Sequence, residues 1–208
     1  MKLTKLGHSC VLVEEQGRIA LFDPGVWADS DLILAVQHVD EIVYTHEHPD
    51  HFSIEILKKL VEKFPDVEVV CNPEIRAQIE GAGLRVATNE ENEQTQKFTA
   101  SHEQLPIPGS QPPAENGYHF MGVFSHPGDS QHFSETKKML AMPFIGPWGK
   151  TGDSIDLVLK LKPEYVLPIH DWHYTEEAKQ WLQGVLEAVL KPAGITVLSN
   201  ENGLEQTV

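Results

Sequence analysis

The stretch at residues 44–52 most constrains this chain, because it packs three histidines and an aspartate into six positions directly after an apolar run. We expect the apolar run to form a strand that delivers the stretch. His46 and His48 are two apart, so on extended backbone they project to the same side and can bind one ion. Histidine is a common ligand of zinc and of similar divalent ions. The alternative interpretation is a solvated histidine-rich loop.

The second half of the stretch points to another ion. Pro49 lacks an N–H and disfavours a continuing strand ladder, so the chain turns there. Asp50 and His51 follow the turn and can face away from the first pair. The stretch therefore predicts a site for two metal ions, which ligands from elsewhere in the chain must complete.

Further candidate ligands recur just past other predicted strands, and loops at one end of a sheet can converge. His102 follows a strand predicted at 95–100, Asp129 follows one at 117–125, and His170 follows one at 165–169. The set sorts into two tetrahedral-type sites with a shared carboxylate: His46, His48 and His102 for one ion, Asp50, His51 and His170 for the other, and Asp129 as the bridge. A hydroxide between two such ions would be a nucleophile near neutral pH.

In order and spacing, these residues resemble the signature of the metallo-β-lactamase-fold hydrolases. The H-x-H-x-D-H segment at 46–51 is followed by His102, Asp129 and His170, and the resemblance extends from Gly7 to about His173. The segments 7–9 and 21–25 resemble the branch that contains ascorbate-6-phosphate lactonase and many uncharacterised hydrolases.

The resemblance implies an α/β (α+β) fold, the four-layer αββα sandwich. Two mixed sheets would face each other with helices outside, and the metals would lie in a cleft at one edge. The diiron flavoprotein relatives have glutamate where this chain has His48, and the chain has no flavin domain, which favours hydrolysis over reduction of oxygen or nitric oxide. The full second site also argues against the single-iron persulfide dioxygenase relatives.

Hydrophobic patterning predicts alternating strands and helices, as expected for an α/β layering. We expect 90–96 to be a loop or an edge hairpin. We expect the proline-rich segment 105–116 to be a surface loop over the site, with a linker between two domains as the alternative. The predicted strands are 3–6, 10–14, 19–22, 41–44, 67–71, 95–100, 117–125, 139–145, 165–169 and 195–198, and the predicted helices are 29–36, 52–64, 73–80, 154–161 and 176–190.

Length and composition predict a single domain spanning residues 1–208. The formal net charge of −15 disfavours attraction to nucleic acid or anionic membranes, but it does not exclude an anionic small-molecule substrate. The two cysteines favour reduced thiols over a disulfide framework, so we expect a cytoplasmic protein. We also expect no signal peptide, because residues 1–8 are too polar for one, and no membrane span, because no apolar run is long enough. The sequence does not decide whether the chain forms a homo-oligomer.

Several residues near the predicted ligands have competing interpretations. Asp23 could hydrogen-bond a ligand histidine or only cap a turn, and His8 could contact the substrate, protonate the leaving group or lie in a surface turn. Trp148 and Trp172 could wall the pocket or simply pack. Asp171 and His173 could line the pocket, and Asp171 could equally cap a helix.

The sequence therefore predicts a metal-dependent hydrolase with two divalent ions, zinc by preference, with manganese or iron as alternatives. We expect a metal-bridging hydroxide to attack a small phosphodiester, phosphorylated lactone or ester, with Asp50, Asp129 and His8 as catalytic residues. A metal-binding regulatory or scaffold protein without turnover is the alternative, and a nuclease is a weaker third.

Overall fold

The computed structural model describes all 208 residues, which form two mixed β-sheets. The first sheet has seven strands in the order β13-β1-β2-β3-β4-β5-β6, parallel from β3 to β6 and antiparallel elsewhere. Its strands are β1 (Lys2–Lys5), β2 (Val11–Glu15), β3 (Arg18–Phe22), β4 (Glu41–Val43), β5 (Glu68–Val70), β6 (Ala87–Asn89) and β13 (Glu205–Thr207).

The second sheet has six strands in the order β12-β11-β10-β9-β8-β7, parallel from β9 to β12. These strands are β7 (Thr95–Phe98), β8 (Gly117–Phe120), β9 (Phe124–His126), β10 (Met139–Pro143), β11 (Tyr165–Ile169) and β12 (Thr196–Val197). The helices are α1 (Ser30–Ala35), α2 (Ile54–Lys63), α3 (Pro73–Gly81), α4 (Thr151–Leu161) and α5 (Glu176–Leu190), followed by a 3₁₀ turn at Lys191–Ala193. None of these helices combines the length and the apolar character that a bilayer crossing requires.

Alternating side chains along each strand build a four-layer core. On β2, Val11 and Val13 join the apolar cluster between the two sheets, whereas Leu12 packs outward toward the helices of the first sheet. On β10, Ala141 faces the middle, and Leu140 packs against the layer of α4 and α5. The predicted αββα sandwich is therefore confirmed.

Three strand predictions need correction. The single strand expected at 117–125 is a hairpin, β8 and β9, joined by a tight turn in which Met121 and Gly122 have positive φ. The turn residues Met121, Gly122 and Val123 are partly or fully exposed, but none of them is polar, so the apolar run continues through the turn in the sequence. The short strands β6 and β13 were not predicted, because their exposed and mostly polar residues carry no apolar alternation and their pairing depends on distant neighbours.

Candidate metal centre

The predicted ligands meet at one edge of the sandwich, where the strands of both sheets end. The histidine stretch follows β4, and it is held close to the turn after β3 by a bond from the Val26 amide to the Pro49 carbonyl of 2.8 Å. Gly25 is needed at this approach, since a Cβ there would lie 2.1 Å from the Asp50 carbonyl. Asp129 lies past β9 and His170 directly follows β11, so the second sheet supplies the opposite side.

A first cluster comprises His46, His48, His102 and Asp129, whose donor atoms all lie within 4.8 Å of one another. His102 Nε2 is 3.1 Å from His48 Nδ1 and 3.6 Å from Asp129 Oδ2. His46 Nε2 lies 4.0 Å from the same carboxylate oxygen. These are the three histidines that the sequence assigns to one ion, together with the predicted bridging aspartate.

A second cluster comprises His8, Asp50, His51 and His170, again within 4.8 Å. Asp50 Oδ2 lies 3.2 Å from His8 Nε2, 3.6 Å from His170 Nε2 and 3.7 Å from His51 Nε2. The structure thus brings together the three residues that the sequence assigns to the other ion, and it adds His8 to them.

Asp129 lies between the two clusters. Its Oδ1 is 3.0 Å from His51 Nε2, and its Oδ2 is 3.2 Å from His170 Nε2 as well as 3.6 Å from His102 Nε2. The carboxylate therefore contacts histidines of both clusters and is itself buried. This is the position that a bridging ligand requires.

Four donor atoms at the centre have no hydrogen-bond partner within the chain. His46 Nε2, His51 Nε2, His170 Nε2 and Asp129 Oδ1 are buried and make no hydrogen bond of acceptable geometry. Buried polar atoms in folded proteins are nearly always satisfied, so four unpaired atoms in two adjoining clusters indicate that the site binds a ligand. Imidazole nitrogens around a carboxylate suit a divalent ion such as zinc, and the residues present fit such a group.

The opposite ring nitrogens are hydrogen-bonded, which fixes the orientation of the rings. The Nδ1–H of each of three histidines donates to an oxygen: His51 to Asp23 Oδ2 (2.8 Å), His102 to the Glu103 carbonyl (2.6 Å) and His170 to the Ile145 carbonyl (2.7 Å). Asp23 also accepts from the amide and hydroxyl of Thr45 at 2.8 and 2.7 Å. Of its two interpretations, the structure shows the hydrogen bond to a histidine, His51, which the sequence predicts as a ligand.

The fourth ring, that of His46, donates its Nδ1–H to Thr45 Oγ1 at 3.0 Å and also lies beside Glu115, which no sequence pattern singled out. Glu115 Oε2 lies 3.1 Å from His46 Nδ1 and accepts a 2.9 Å hydrogen bond from the Asp129 amide, while its side chain is fully buried. Burial, reinforced by Asp129, raises the pKa of Glu115 well above its usual value. It lies at the end of the proline-rich segment predicted as a surface loop, where a lone glutamate gives no signal.

His8 lies behind Asp50 and is almost completely buried. Its Nε2 faces Asp50 Oδ2, and its Nδ1 accepts a 3.3 Å hydrogen bond from the Trp172 amide. Its carbonyl accepts from the His170 amide at 3.1 Å. Burial lowers the pKa of His8 to about 4, so the ring is neutral and donates one proton, toward Asp50.

The carboxylates concentrate negative charge at the point that the ring nitrogens face. Burial lowers the pKa of His46 well below its usual value, which leaves a lone pair on the neutral ring. Burial also opposes charge on His170, but Asp129 outweighs it and raises that pKa to about 9. Against the same burial, Asp129 and Asp23 raise the pKa of His51 well above its usual value. The centre thus attracts positive charge, which a divalent cation would supply.

The centre opens into a cleft of about 590 Å³. Trp148 lines it, as one interpretation of the sequence expected, whereas Trp172 is more than half exposed and stacks on Trp27 with ring centroids 4.7 Å apart. The cleft is lined by Trp27, His48, Asp50, Leu105, Asp129, Ile145, Gly146, Pro147, Trp148, His170, His173 and Tyr174. His173 therefore lies at the cleft.

Other residues near the centre have structural roles. Asp171 is buried and binds Lys5 Nζ at 2.6 and 2.7 Å, while Thr175 caps α5. His126 is fully buried; its Nδ1 accepts from the Gly128 amide and its Nε2 donates to the Ser9 carbonyl. Both cysteines are buried free thiols, as expected.

Comparison with known proteins gives concordant results. Residues 2–170 match the family model described as the beta-lactamase superfamily domain. A UPF0173 protein of Pyrococcus furiosus is 30% identical to this chain, and the match covers 92% of this chain and 97% of that protein. A UPF0173 metal-dependent hydrolase of Nanoarchaeum equitans is 29% identical, with 82% and 83% covered.

Among solved structures, Igni18, a metallo hydrolase of the hyperthermophilic archaeon Ignicoccus hospitalis, is similar with a TM-score of 0.71. The match covers 99% of this chain and 97% of that chain at 18% sequence identity. At such identity the likeness concerns the fold, and it agrees with the two facing sheets described above.

Proposed function

We propose, from the premise that this chain belongs to the beta-lactamase superfamily, that it is a metal-dependent hydrolase with a two-ion centre. The observation that supports the proposal is the pair of donor clusters joined at Asp129, with four buried donor atoms that nothing in the chain satisfies. A structural histidine cluster would pair these atoms internally.

In this proposal each ion has its own ligands and shares one. The assignment is His46, His48 and His102 for the first ion, Asp50, His51 and His170 for the second, and Asp129 for both. When bound, two such ions supply an acidified water as nucleophile and stabilise negative charge that develops on the substrate. Zinc suits this donor set best, and manganese and iron are the alternatives.

The remaining roles belong to side chains. Asp129 lies at the junction of the clusters, where it can accept the proton that a nucleophilic water loses. His8 is a positioning residue, since it donates to Asp50 Oδ2 and is screened from the cleft by burial. The substrate is a small ester, a phosphorylated lactone or a phosphodiester. Water oxygen bonds to the carbonyl carbon or phosphorus, the bond to the leaving oxygen breaks, and that oxygen takes up a proton.

Metal analysis combined with a substrate screen tests this proposal. Protein loaded with zinc, manganese or iron should contain two ions per chain and should hydrolyse at least one class among esters, lactones and phosphodiesters. His48→Ala should lose one ion and Asp129→Ala both, with hydrolysis reduced to background. Asp156→Ala, at an exposed site on α4, is the matched control that should change neither.

Two outcomes would contradict the proposal. A variant that kept full activity with an emptied centre would exclude the metal mechanism. Stoichiometric metal without turnover on any of the three classes would indicate a metal-binding scaffold instead.

A further inference from the structure

The walls of the cleft are apolar and largely aromatic. Trp148 lies beside the metal centre, with its ring centroid 5.1 Å from that of His170 and 6.3 Å from that of His102. Gly146 permits this placement, because a Cβ there would lie 2.6 Å from the indole ring. The position of Trp148 is thus fixed by the loop after β10.

The other walls continue this surface. Trp27 is sandwiched between the Trp172 ring, on which it stacks, and the His8 ring, which it meets edge to face at 5.1 Å. Leu105, Pro147 and Tyr174 complete the lining away from the metal ligands. A rigid aromatic surface of this kind contributes binding energy by burying flat or aliphatic groups.

No lysine or arginine lines the cleft. Proteins recognise phosphate groups with arginine forks, lysines or exposed backbone N–H groups at helix N-termini. The charged side chains among the lining residues are Asp50 and Asp129, which repel an anion and are matched to the metals. Apart from the two ions themselves, a second anionic group on a substrate would therefore find no lysine or arginine partner in the cleft, only single hydrogen-bond donors such as the imidazole of His173 and the hydroxyl of Tyr174.

We infer that the substrate is an uncharged carboxylic ester or lactone whose non-reacting part is an apolar group packed against Trp27 and Trp148. This inference rests on the proposed function and narrows its substrate class, against phosphorylated compounds. The carbonyl lies at the ions, and the apolar group extends along the aromatic wall. Hydrolysis adds water across the acyl carbon–oxygen bond and yields a carboxylic acid and an alcohol.

A matched ester series tests the inference. The zinc-loaded enzyme would be assayed on the acetate, butyrate and hexanoate esters of phenol and of a phenol that carries a phosphate group. Burial of each added methylene should raise kcat/KM by about fourfold until the cleft is filled. The phosphorylated esters should be at least about tenfold poorer at every chain length.

Substitutions in the aromatic wall of the cleft test whether this wall causes the gain in kcat/KM with chain length. Trp148→Ala should remove most of the gain with chain length, mainly through KM, and Trp148→Phe should restore part of it. Leu105→Lys should improve the phosphorylated esters relative to the neutral ones. Trp181→Ala, on the exposed face of α5, is the control and should match the unchanged chain.

A binding measurement distinguishes failure of this inference from failure of the proposed function. Acetate and hexanoate, which share the carboxylate and differ only in the apolar chain, would be titrated into metal-loaded protein while the fluorescence of the tryptophans is followed. Saturable quenching by hexanoate that Trp148→Ala weakens supports the apolar site even if no ester is turned over. Equal or faster hydrolysis of the phosphorylated esters, or equal binding of acetate and hexanoate, would overturn the inference while leaving the hydrolase proposal intact.

Discussion

The two clusters of the metal centre differ in what holds them. The second cluster is attached to regular elements: His51 bonds to Asp23 at the end of β3, and His170 leaves β11 with its amide bound to the His8 carbonyl. The first cluster depends on the irregular segment 99–116, which supplies His102 and also Glu115.

The difference has a physical consequence. Strand ends are fixed by ladder hydrogen bonds and by the apolar core between the sheets, whereas a proline-rich loop is fixed only by isolated contacts. For this loop the contacts include a 3.1 Å bond from the Asn116 amide to the Thr45 carbonyl and a 2.8 Å bond from Asn72 Nδ2 to the Ala114 carbonyl. Other bonds, from the Asp129 amide to Glu115 at 2.9 Å and from the Gln131 amide to Glu103 at 2.7 Å, reach another loop and not a strand. We therefore expect the first cluster to be the weaker metal site.

The largest effect is expected where the scaffold of the second cluster is broken. Lys5 and Asp171 form a buried ion pair that ties β1 to the residue after His170. Burial lowers the pKa of Lys5 and Asp171 opposes that shift, so the charges depend on each other. Lys5→Met leaves a buried carboxylate unpaired and should lower the free energy of unfolding by about 3–5 kcal/mol. Denaturant titration measures this.

Two further variants complete that measurement. Lys2→Met, in the same strand but half exposed, should change stability by less than about 0.5 kcal/mol. The double variant Lys5→Met with Asp171→Leu should recover much of the loss, because it removes both charges. A loss below about 1 kcal/mol in Lys5→Met would show that strand β1 contributes little to the second cluster.

A matched pair of carboxylates tests the comparison directly. Asp23→Asn replaces the carboxyl group behind His51, and Glu115→Gln replaces the carboxyl group behind His46. Loss of a group that orients a ligand histidine typically weakens metal affinity about 10- to 100-fold. Asp23→Asn should therefore weaken the second ion, and Glu115→Gln the first, in a competition titration against a chromogenic chelator.

The control for this pair is Glu47→Gln. Glu47 lies between His46 and His48 in sequence, but it points away and accepts a hydrogen bond from Gln78 at the surface. Its loss should leave both affinities unchanged. Equal weakening of both ions by Asp23→Asn and by Glu115→Gln would mean that the clusters act as one unit and that the comparison does not hold.

The sequence indicates the role of Asp23 but not that of Glu115, and the reason is physical. Asp23 stands at the end of an apolar run and before Pro24-Gly25, so both the strand and the turn can be inferred locally. Glu115 stands in a segment without periodicity. Its burial arises only when the loop folds back between His46 and Asp129, and such long-range contacts leave no local pattern.

The same distinction holds for the fold and the cleft. The helix α5 and the strand β11 have the predicted bounds, because a strong local pattern defines them. The hairpin turn at 121–122, the edge strand β13 and the role of Trp27 depend on partners far away in the chain. The predicted ligand histidines can be recognised in the sequence because clusters of histidine and aspartate are rare. The apolar walls of the cleft cannot, because they consist of residue types that also occur throughout the core.

The smallest effect is expected at the start of α2, directly after Asp50 and His51 of the second cluster. The amide of Ile56 donates to Ser53 Oγ over a long 3.4 Å, so Ser53→Ala should cost about 0.5–1 kcal/mol of stability. The ligand turn has its own bonds, from the His51 and Phe52 amides to the His48 carbonyl at 2.9 and 2.8 Å. Metal affinity should therefore change less than about twofold in the chelator titration. A tenfold loss would mean that the helix, and not only the turn, supports the second cluster, which would widen the difference between the two halves of the centre.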